Sequence, residues 1–180
     1  MMVAEWYSTY NSENLQSSLT TFLNQNLLTD NFKIRSFKDT MTEEEMLKYI
    51  PFHNFAYNNT EGLKNGLSAD EEITNFKRQL SIKNTPNKSS DYYYFFQELD
   101  EKIIGMGNCR VLKTPFPTLT LDYIFIRQEF KNRKFGKILF YTMIKDICEL
   151  YQINKITLQT HSSNKPALNL IEPLGFKNNL

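Results

Sequence analysis

Five basic side chains and one glycine fall within the eleven residues from Arg127 to Lys137. Against the single acid Glu129, this basic segment carries a local charge of five minus one, or +4. An apolar stretch with helical spacing follows, and the start of a helix presents unpaired N–H groups that favour an anion. Gly136 also allows the backbone to approach a ligand closely. These residue types indicate a binding site for a phosphate group, with pyrophosphate as a natural occupant.

Charge alone leaves a second interpretation of the basic segment open, a solvated turn that opens an ordinary helix. The segment lacks the GxxxxGK[ST] pattern of a P-loop and the three glycines of a dinucleotide-binding fingerprint. The phosphate interpretation therefore depends on what surrounds the segment in the sequence.

Residues that bind metals or form disulfides are scarce. The chain has two cysteines, Cys109 and Cys148, and two histidines, His53 and His161, and each pair is widely separated in sequence. A zinc site needs three or four convergent ligands, and neither pair has a usual ligand spacing. We therefore predict no metal site, and we expect both cysteines to lie in the core.

The composition is typical of one globular domain in a reducing compartment. The 180 residues are 41% hydrophobic and carry a formal net charge of +1. This balance argues against a protein that coats nucleic acid, which needs a broad basic surface. The sequence shows no secretory signal, and no apolar run is long enough to span a bilayer. The expectation is a cytoplasmic protein without nucleic-acid or membrane partners.

Hydrophobic periodicity predicts the elements that position the basic segment. In chain order they are a helical arm within 1–30, a strand at 33–37, helices at 41–50 and 68–82, strands at 92–99, 102–112 and 118–126, a helix at 135–151, a strand at 155–160 and a helix at 164–176. The strands at 92–99 and 102–112 read as a β-hairpin. The strand–helix–strand unit that contains the basic segment predicts a parallel crossover in a mixed α/β sheet.

Two segments, in order, resemble the GNAT N-acetyltransferase family. The first is IRQEFKNRKFGKILF, which is similar to the family's Arg/Gln-x-x-Gly-x-Gly/Ala pattern after a strand, with Lys131, Lys134 and Gly136 at the patterned positions. The second is NKPALNLIEPLGF, which is similar to Asn-x-x-Ala-x-x-Leu-Tyr-x-x-x-Gly-Phe. It matches that pattern at Asn164, Ala167, Leu170, Gly175 and Phe176. The resemblance covers about 32–176 and includes the helix and strand between the two segments.

The resemblance implies a GNAT-like mixed central sheet and transfer of an acetyl or other acyl group from acetyl-CoA to an amine. In such a fold the strand that ends near Ile126 splays from the next parallel strand, and the pantetheine arm of CoA lies in the gap. Backbone amides of the first strand polarise the thioester carbonyl, and the basic segment holds the pyrophosphate. The implied CoA-binding residues are Phe125, Ile126, Arg127, Lys131, Asn132, Arg133, Lys134, Phe135, Gly136, Lys137 and Asn164.

Direct attack on the thioester needs a neutral amine, so a base assists catalysis. Strand alternation puts Thr120, Asp122, Ile124 and Ile126 on one face, and Asp122 is the only carboxylate among them. Asp122 is the candidate base, and an edge-facing or hydrogen-bonded residue without a catalytic role is the equal alternative. Ile171 stands where many family members have a tyrosine that protonates the leaving thiolate, and isoleucine has no proton to donate.

Two functions therefore remain open. The first is an N-acetyltransferase that acts on an amine of a small molecule or a protein. The second is a CoA-binding protein without catalysis, with a role in regulation or interaction, and Ile171 favours it. A nucleic-acid-binding module that uses the basic segment is disfavoured by the overall charge.

The predicted organisation is a helical arm at 1–30 followed by a GNAT-like acyltransferase domain at 31–180. Four residues follow Phe176, too few for a hairpin, so the family's C-terminal strands are expected to be missing. The outer edge of the strand at 155–160 would then carry unpaired backbone groups. We expect the helical arm to leave this edge open, and the chain to self-associate, for example as a homodimer, or to have low stability.

Overall fold

The computed structural model of the chain describes residues 3–9, 13–26, 31–38, 41–58, 68, 70–71, 73–74, 78, 89–113, 115–153 and 155–178. Within these ranges the strands are β1 (Val3–Thr9), β2 (Phe32–Lys38), β3 (Ser90–Leu99), β4 (Lys102–Leu112), β5 (Thr118–Ile126), β6 (Lys155–His161) and β7 (Lys177–Asn178). The α-helices are α1 (Glu13–Gln25), α2 (Glu43–Asn58), α3 (Phe135–Tyr151) and α4 (Lys165–Ile171). The predicted mixed α/β class is confirmed.

All seven strands belong to one sheet in the order β2-β3-β4-β5-β6-β1-β7. Neighbouring strands are antiparallel except β5 and β6, which are parallel and are joined through α3. The predicted hairpin is formed by β3 and β4. Its turn residues Asp100 and Glu101 have φ values of 49° and 63°, as a two-residue type I′ turn requires. The predicted hairpin and parallel crossover are therefore confirmed.

Two apolar cores lie on opposite faces of the sheet, because neighbouring residues of β3 belong to different cores. Phe95 packs with α1, α3 and the segment after α4, and we call this the α3-side core. Phe96 packs with Tyr49 and Phe52 of α2, and we call this the α2-side core. The basic segment joins β5 to α3, so it lies at one end of the α3-side core.

A capping box stabilises the start of α2. Before α2, the amide of Glu45 donates to Thr42 Oγ1 at 3.2 Å, and the amide of Thr42 donates to Glu45 Oε2 at 2.8 Å. The helix α2 continues through Pro51 to Asn58, beyond its predicted end at residue 50. The predicted helix at 68–82 lies mostly outside the described residues, although 70–71, 73–74 and 78 are helical.

The expectation that 1–30 leaves the sheet edge open is wrong. The strand β1 runs antiparallel to β6, from Val3 opposite His161 to Thr9 opposite Lys155. The short strand β7 then pairs with the other side of β1. Sequence reasoning read this region only as helical, because a strand at the end of a chain gains its hydrogen bonds from a partner far away in sequence. The reason to expect self-association through β6 is therefore removed.

Within the described residues, no helix is long and apolar enough to cross a bilayer, and no group of three His, Cys, Asp or Glu could hold a metal ion. Cys109 and Cys148 are free and buried, as their apolar surroundings in sequence predict. Burial raises the pKa of both thiols well above its ordinary value. Both side chains therefore stay protonated and act as small apolar residues.

Candidate active site

The parallel strands β5 and β6 stay paired for only four residues. Thr118–Leu121 lies beside Lys155–Leu158, and beyond this pairing both strands continue separately, β5 to Ile126 and β6 to His161. On its other side, β5 remains hydrogen-bonded to β4, because the amide of Arg127 donates to the Ile104 carbonyl at 2.8 Å. The predicted splay of these two strands is confirmed, and we call the space between them the gap.

Alternation of backbone groups gives the gap a polar lining. Successive residues of a strand direct their N–H and C=O groups to opposite sides. Since the amide of Arg127 points to β4, the amide of Ile126 points into the gap. The gap therefore offers β5 backbone hydrogen bonds to an extended ligand.

A β-bulge sets the direction of the side chains where the strands part. The register between β4 and β5 shifts by one residue, and Asp122 is the extra residue. Ile124 and Ile126 consequently pack on the α3-side core, whereas Asp122 lines a cavity on the opposite face together with Thr120. The prediction that these four residues share one face is wrong, because strict alternation ignores the inserted residue.

The basic segment adopts a backbone conformation that ordinarily suits glycine. A 3₁₀ turn at Gln128–Phe130 follows β5, after which Asn132 and Lys134 have φ values of 61° and 67°. Lys134 directly precedes α3, and its side chain makes no capping hydrogen bond to the helix. The first amides of α3 have no partner within the helix, which makes them available to an anion. These amides belong to Phe135, Gly136 and Lys137.

Two contacts align the start of α3 with the gap. Gln97 of β3 is fully buried and donates its Nε2 to the Phe135 carbonyl at 3.0 Å. A Cβ atom placed on Gly136 would lie 3.5 Å from Cγ1 of Ile126, an ordinary van der Waals distance. Gly136 therefore faces the last residue of β5, and the uncapped helix start lies beside the end of the gap.

Arg127 turns away from the helix start. Its guanidinium lies 4.8 Å and 4.7 Å from the ring centroids of Phe52 and Phe55 on α2, and its Nε donates to the Ile103 carbonyl at 2.8 Å. The cation therefore lies against two neighbouring aromatic rings on the α2 side of the sheet. Its guanidinium group therefore lies on the opposite side of the sheet from α3.

Two of the other basic side chains, Lys134 and Lys137, contact α1 on the α3 side of the sheet. Lys134 Nζ donates to Asn26 Oδ1 at 3.0 Å, which ties the end of α1 to the start of α3. Lys137 Nζ lies 4.5 Å from the ring centroid of Phe22. Lys131 and Arg133 are exposed, as Lys134 is.

Asp122 lies in a cavity of about 290 Å³ at the point where β5 and β6 part. Its Oδ1 atom is 3.5 Å from Nε of Arg110, so the carboxylate forms an ion pair across β4 and β5. Below it, the hydroxyls of Thr120 and Thr157 are 3.1 Å apart and join β5 to β6. Asp122, the candidate base, therefore lies beside the gap and also forms an ion pair with Arg110.

Asn164 and Ile171, the two site residues of the second sequence segment, are both engaged in the fold. Asn164 caps α4, because its Oδ1 accepts from the Ala167 amide at 3.3 Å and its Nδ2 donates to Thr160 Oγ1 at 3.1 Å. Ile171 is only 1% exposed and belongs to the α3-side core. A hydrogen bond from Asn164 to a ligand would have to compete with these contacts.

Two buried polar residues near the site were missed by sequence reasoning. Gln97 Oε1 and Asn108 Oδ1 are buried without a hydrogen-bond partner among the described residues. Asn108 lies on β4 between Tyr94 and Tyr123 on the neighbouring strands. The available signal was a polar residue inside an apolar strand sequence, which a central strand seldom contains without a reason.

A known protein family matches the part of the chain that contains these features. A model of the acetyltransferase (GNAT) family matches residues 61–176, which include β3 to β6, the gap, the basic segment and α4. The chain therefore belongs to the acetyltransferase (GNAT) family.

Two curated relatives carry N-acetyltransferase names. The probable N-acetyltransferase camello of Xenopus laevis is 26% identical over 101 residues, which are 56% of this chain and 46% of the relative. An N-alpha-acetyltransferase of Sulfurisphaera tokodaii is 25% identical over 99 residues, which are 50% of this chain and 59% of the relative. The chain thus spans about half the length of the curated relatives it matches.

Solved structures share the fold at low identity. A tandem GNAT protein from the clavulanic acid biosynthesis pathway aligns with a TM-score of 0.72 at 7% identity, over 98% of this chain and 50% of that one. An aminoglycoside acetyltransferase from an uncultured soil metagenomic sample, in complex with sisomicin, aligns at 0.61 and 17% identity, over 81% and 88%. An aminoglycoside N-acetyltransferase in complex with CoA aligns at 0.56 and 13% identity, over 83% and 91%. At these identities the likeness establishes the fold.

Proposed function

We propose that this protein is an acyl-CoA-dependent N-acyltransferase that moves acetyl from acetyl-CoA to an amine of an acceptor by direct attack. The proposal rests on one observation. The strands β5 and β6 separate beside the start of α3, which has no side-chain cap. Membership of the GNAT family and the names of the two curated relatives support the reaction class. The acceptor amine belongs to a small molecule or to a protein.

The proposed position of CoA follows from the available backbone donors. The pantetheine arm lies in the gap, where the amide of Ile126 is directed, and the pyrophosphate lies on the first amides of α3. Lys131 and Arg133 supply positive charge around this anion. Within Phe125–Arg127, Ile126 is the residue whose amide serves the arm, because the amide of Arg127 already bonds to β4.

The proposed chemistry needs one proton acceptor and one group that stabilises negative charge. As the new C–N bond forms and the C–S bond breaks, a β5 amide in the gap stabilises the charge on the carbonyl oxygen. Asp122, at the bulge where the strands part, takes the proton of the attacking amine directly or through water. Ile171 has no proton for the leaving thiolate, so the thiolate takes its proton from water.

A second candidate function is CoA binding without catalysis. The observation that favours it is the burial of Ile171, a residue without a hydroxyl group, in the α3-side core. Such a protein would bind acetyl-CoA through the same backbone groups and would release no thiol in the presence of amines.

One experiment separates these functions. Calorimetry with acetyl-CoA measures binding, and thiol release in the presence of a panel of small-molecule and peptide amines measures transfer. We expect binding by the wild-type protein and turnover with at least one amine. Asp122→Asn should lower kcat about 100-fold or more while acetyl-CoA affinity is retained, because the change removes the proton acceptor and none of the proposed contacts to CoA.

Glu149→Gln is the matched control, because Glu149 pairs with Lys145 on α3, at 3.2 Å, away from the gap. It should leave both measurements unchanged. Binding without thiol release for every amine would favour the second function. The absence of acetyl-CoA binding would rule out both.

A further inference from the structure

The cavity of about 290 Å³ that contains Asp122 lies on the face of the sheet opposite α3. Four strands contribute to its lining, because β4, β5, β6 and β1 are consecutive in the sheet. Glu5 of β1 belongs to this lining, and β1 precedes the region matched by the family model. The cavity is therefore completed by a strand outside that match.

Three polar residues of the lining lie level with one another on neighbouring strands. Gln159 of β6 is directly opposite Glu5 of β1. Thr120 of β5 is paired with Thr157 of β6, so Asp122, two residues further along β5, lies level with Gln159. The order across the cavity is therefore a carboxylate on β5, an amide on β6 and a second carboxylate on β1.

The charges of the lining do not cancel. Arg110 lies 3.5 Å from Asp122, measured from Nε to Oδ1, and this ion pair compensates one of the two carboxylates. The side chain of Glu5 is exposed and has no ion-pair partner among the residues that the structure describes. The formal charge of the lining residues is therefore one minus two, or −1. A cation that enters the cavity meets an uncompensated carboxylate on β1.

The spacing of the strands sets the length of an acceptor that fits this cavity. The proposed reaction takes place in the gap between β5 and β6, and β1 is the next strand beyond β6. With neighbouring strands about 4.8 Å apart, β1 lies about 7 Å from the middle of the gap. An extended chain advances roughly 1.2 Å per bond, so about five methylene groups cover this distance. A molecule with one amine in the gap can therefore place a second amine on Glu5.

We infer that the acceptor is a small aliphatic diamine, whose attacking amine lies beside Asp122 and whose second amine is bound by Glu5 as an ammonium group. The inference rests on the proposed function and deepens it, because it names the class of acceptor. The attacking amine gives its proton to Asp122 as the C–N bond forms, and water protonates the thiolate of CoA as the C–S bond breaks. The second amine keeps its charge throughout. Glu5 therefore determines specificity through binding and takes no part in the chemistry.

Rates of thiol release from acetyl-CoA with three acceptors of matched length test the inference on the full chain. The acceptors are 1,5-diaminopentane, pentylamine and 5-aminopentanoate, whose far ends are cationic, apolar and anionic. The wild-type protein should show a kcat/KM about fivefold higher for the diamine than for pentylamine, the effect of one partly exposed ion pair. Glu5→Gln should remove this preference by raising KM for the diamine. Glu149→Gln, the control on α3 away from the cavity, should keep it.

Reversal of the charge gives a second readout. Glu5→Lys should prefer 5-aminopentanoate to 1,5-diaminopentane, an inversion that the loss of a purely structural contact would not produce. Since Glu5 is exposed, both variants should fold, and thermal unfolding checks this.

The outcomes separate the inference from the proposed function. If the wild-type protein uses the diamine and pentylamine equally, or uses only other amines, the inference is overturned while the proposed function stands. The same holds if the folded Glu5 variants keep the wild-type preference. If acetyl-CoA does not bind, or if no amine of the wider panel releases thiol, the proposed function fails and the inference fails with it.

Discussion

Lys134 holds a backbone conformation that costs free energy at the start of α3. Its φ of 67° and ψ of −7° lie in the left-handed region, which disfavours a residue with a Cβ atom by roughly 1–2 kcal/mol. Its hydrogen bond to Asn26 is exposed and offsets only part of this free-energy cost. Strain that persists at one residue is often found at functional sites. The family pattern has glycine at this position, which is the residue that adopts this conformation without strain.

Lys134→Gly should therefore stabilise the protein. We expect the free energy of unfolding to rise by roughly 0.5–1 kcal/mol, because relief of strain exceeds the entropy gained by the unfolded chain. Chemical denaturation measures the change. Lys131→Gly is the matched control, since Lys131 has an ordinary φ of −64° and should lose stability when replaced by glycine. Equal losses in both variants would contradict the strain at Lys134.

Gly136 is predicted to be tolerant of a small side chain and intolerant of a large one. Since an added Cβ meets Ile126 at an ordinary distance, Gly136→Ala should fold and bind acetyl-CoA nearly as well as the wild-type protein. Gly136→Trp should weaken binding by about tenfold or more, because its ring must occupy the space between the end of β5 and the helix start. Calorimetry on both folded variants checks this. If Gly136→Trp bound acetyl-CoA with normal affinity, the proposal that the pyrophosphate lies at this turn would be wrong.

At the scale of elements, the predictions succeeded where the sequence pattern is strong and local. The helix at 135–151 and the strand at 118–126 have the predicted bounds, because the helix has a long, regular apolar period and the strand is rich in β-branched and aromatic residues. The bulge at Asp122 was missed, since an inserted residue leaves the composition of a strand unchanged. The stacking of Arg127 on α2 was missed for a similar reason, because a basic residue in a basic segment does not reveal which side it faces.

A buried carboxylate joins three elements at the end of the sheet far from the gap. Asp91 of β3 forms ion pairs with Lys38 of β2 at 3.0 Å and with Lys113 at 2.8 Å, and the Tyr151 hydroxyl at the end of α3 donates to it. Burial alone would raise the pKa of Asp91. The hydrogen bonds from Lys113, Tyr151 and Lys38 outweigh burial and lower this pKa to about 2.

This shift predicts an acid-dependent loss of stability. Because the pKa of Asp91 is lower in the folded state than the ordinary 3.8, its contribution is complete above that value and is lost as the pH falls towards about 2. The contribution is roughly 1–2 kcal/mol, since its lysine partners are half exposed and screened by solvent. Asp91→Asn should be less stable than the wild-type protein at pH 7, and the difference should shrink in acid. Parallel stability curves for the two proteins would contradict this.

At the scale of the whole molecule, the sheet is completed from both ends of the chain. The strand β1 pairs with the edge of β6, and β7 pairs with part of β1. These two strands widen the sheet on which the α3-side core packs. The helix α1 then returns across this core, where Leu15 and Leu19 are buried. The arm predicted at 1–30 is therefore an integral part of the fold in its described residues.

Removal of residues 1–12 should uncover the backbone of β6. An exposed strand edge pairs readily with another chain, so we expect the shortened protein to form oligomers or aggregates and to unfold at a lower temperature. Light scattering and thermal unfolding measure both effects, with the full chain as the control. A monodisperse shortened monomer of unchanged stability would show that β1 is dispensable.

The position of β1 also sets the order of events during synthesis. The residues that pair in β1 and β6 are separated by 146 positions (Thr9 to Lys155) to 158 positions (Val3 to His161). At ribosomal rates this separation corresponds to about 10–30 s during which β1 exists without its partner. Among the described strands, β1 is thus made first and paired among the last, and its edge stays open to other chains until β6 has been made.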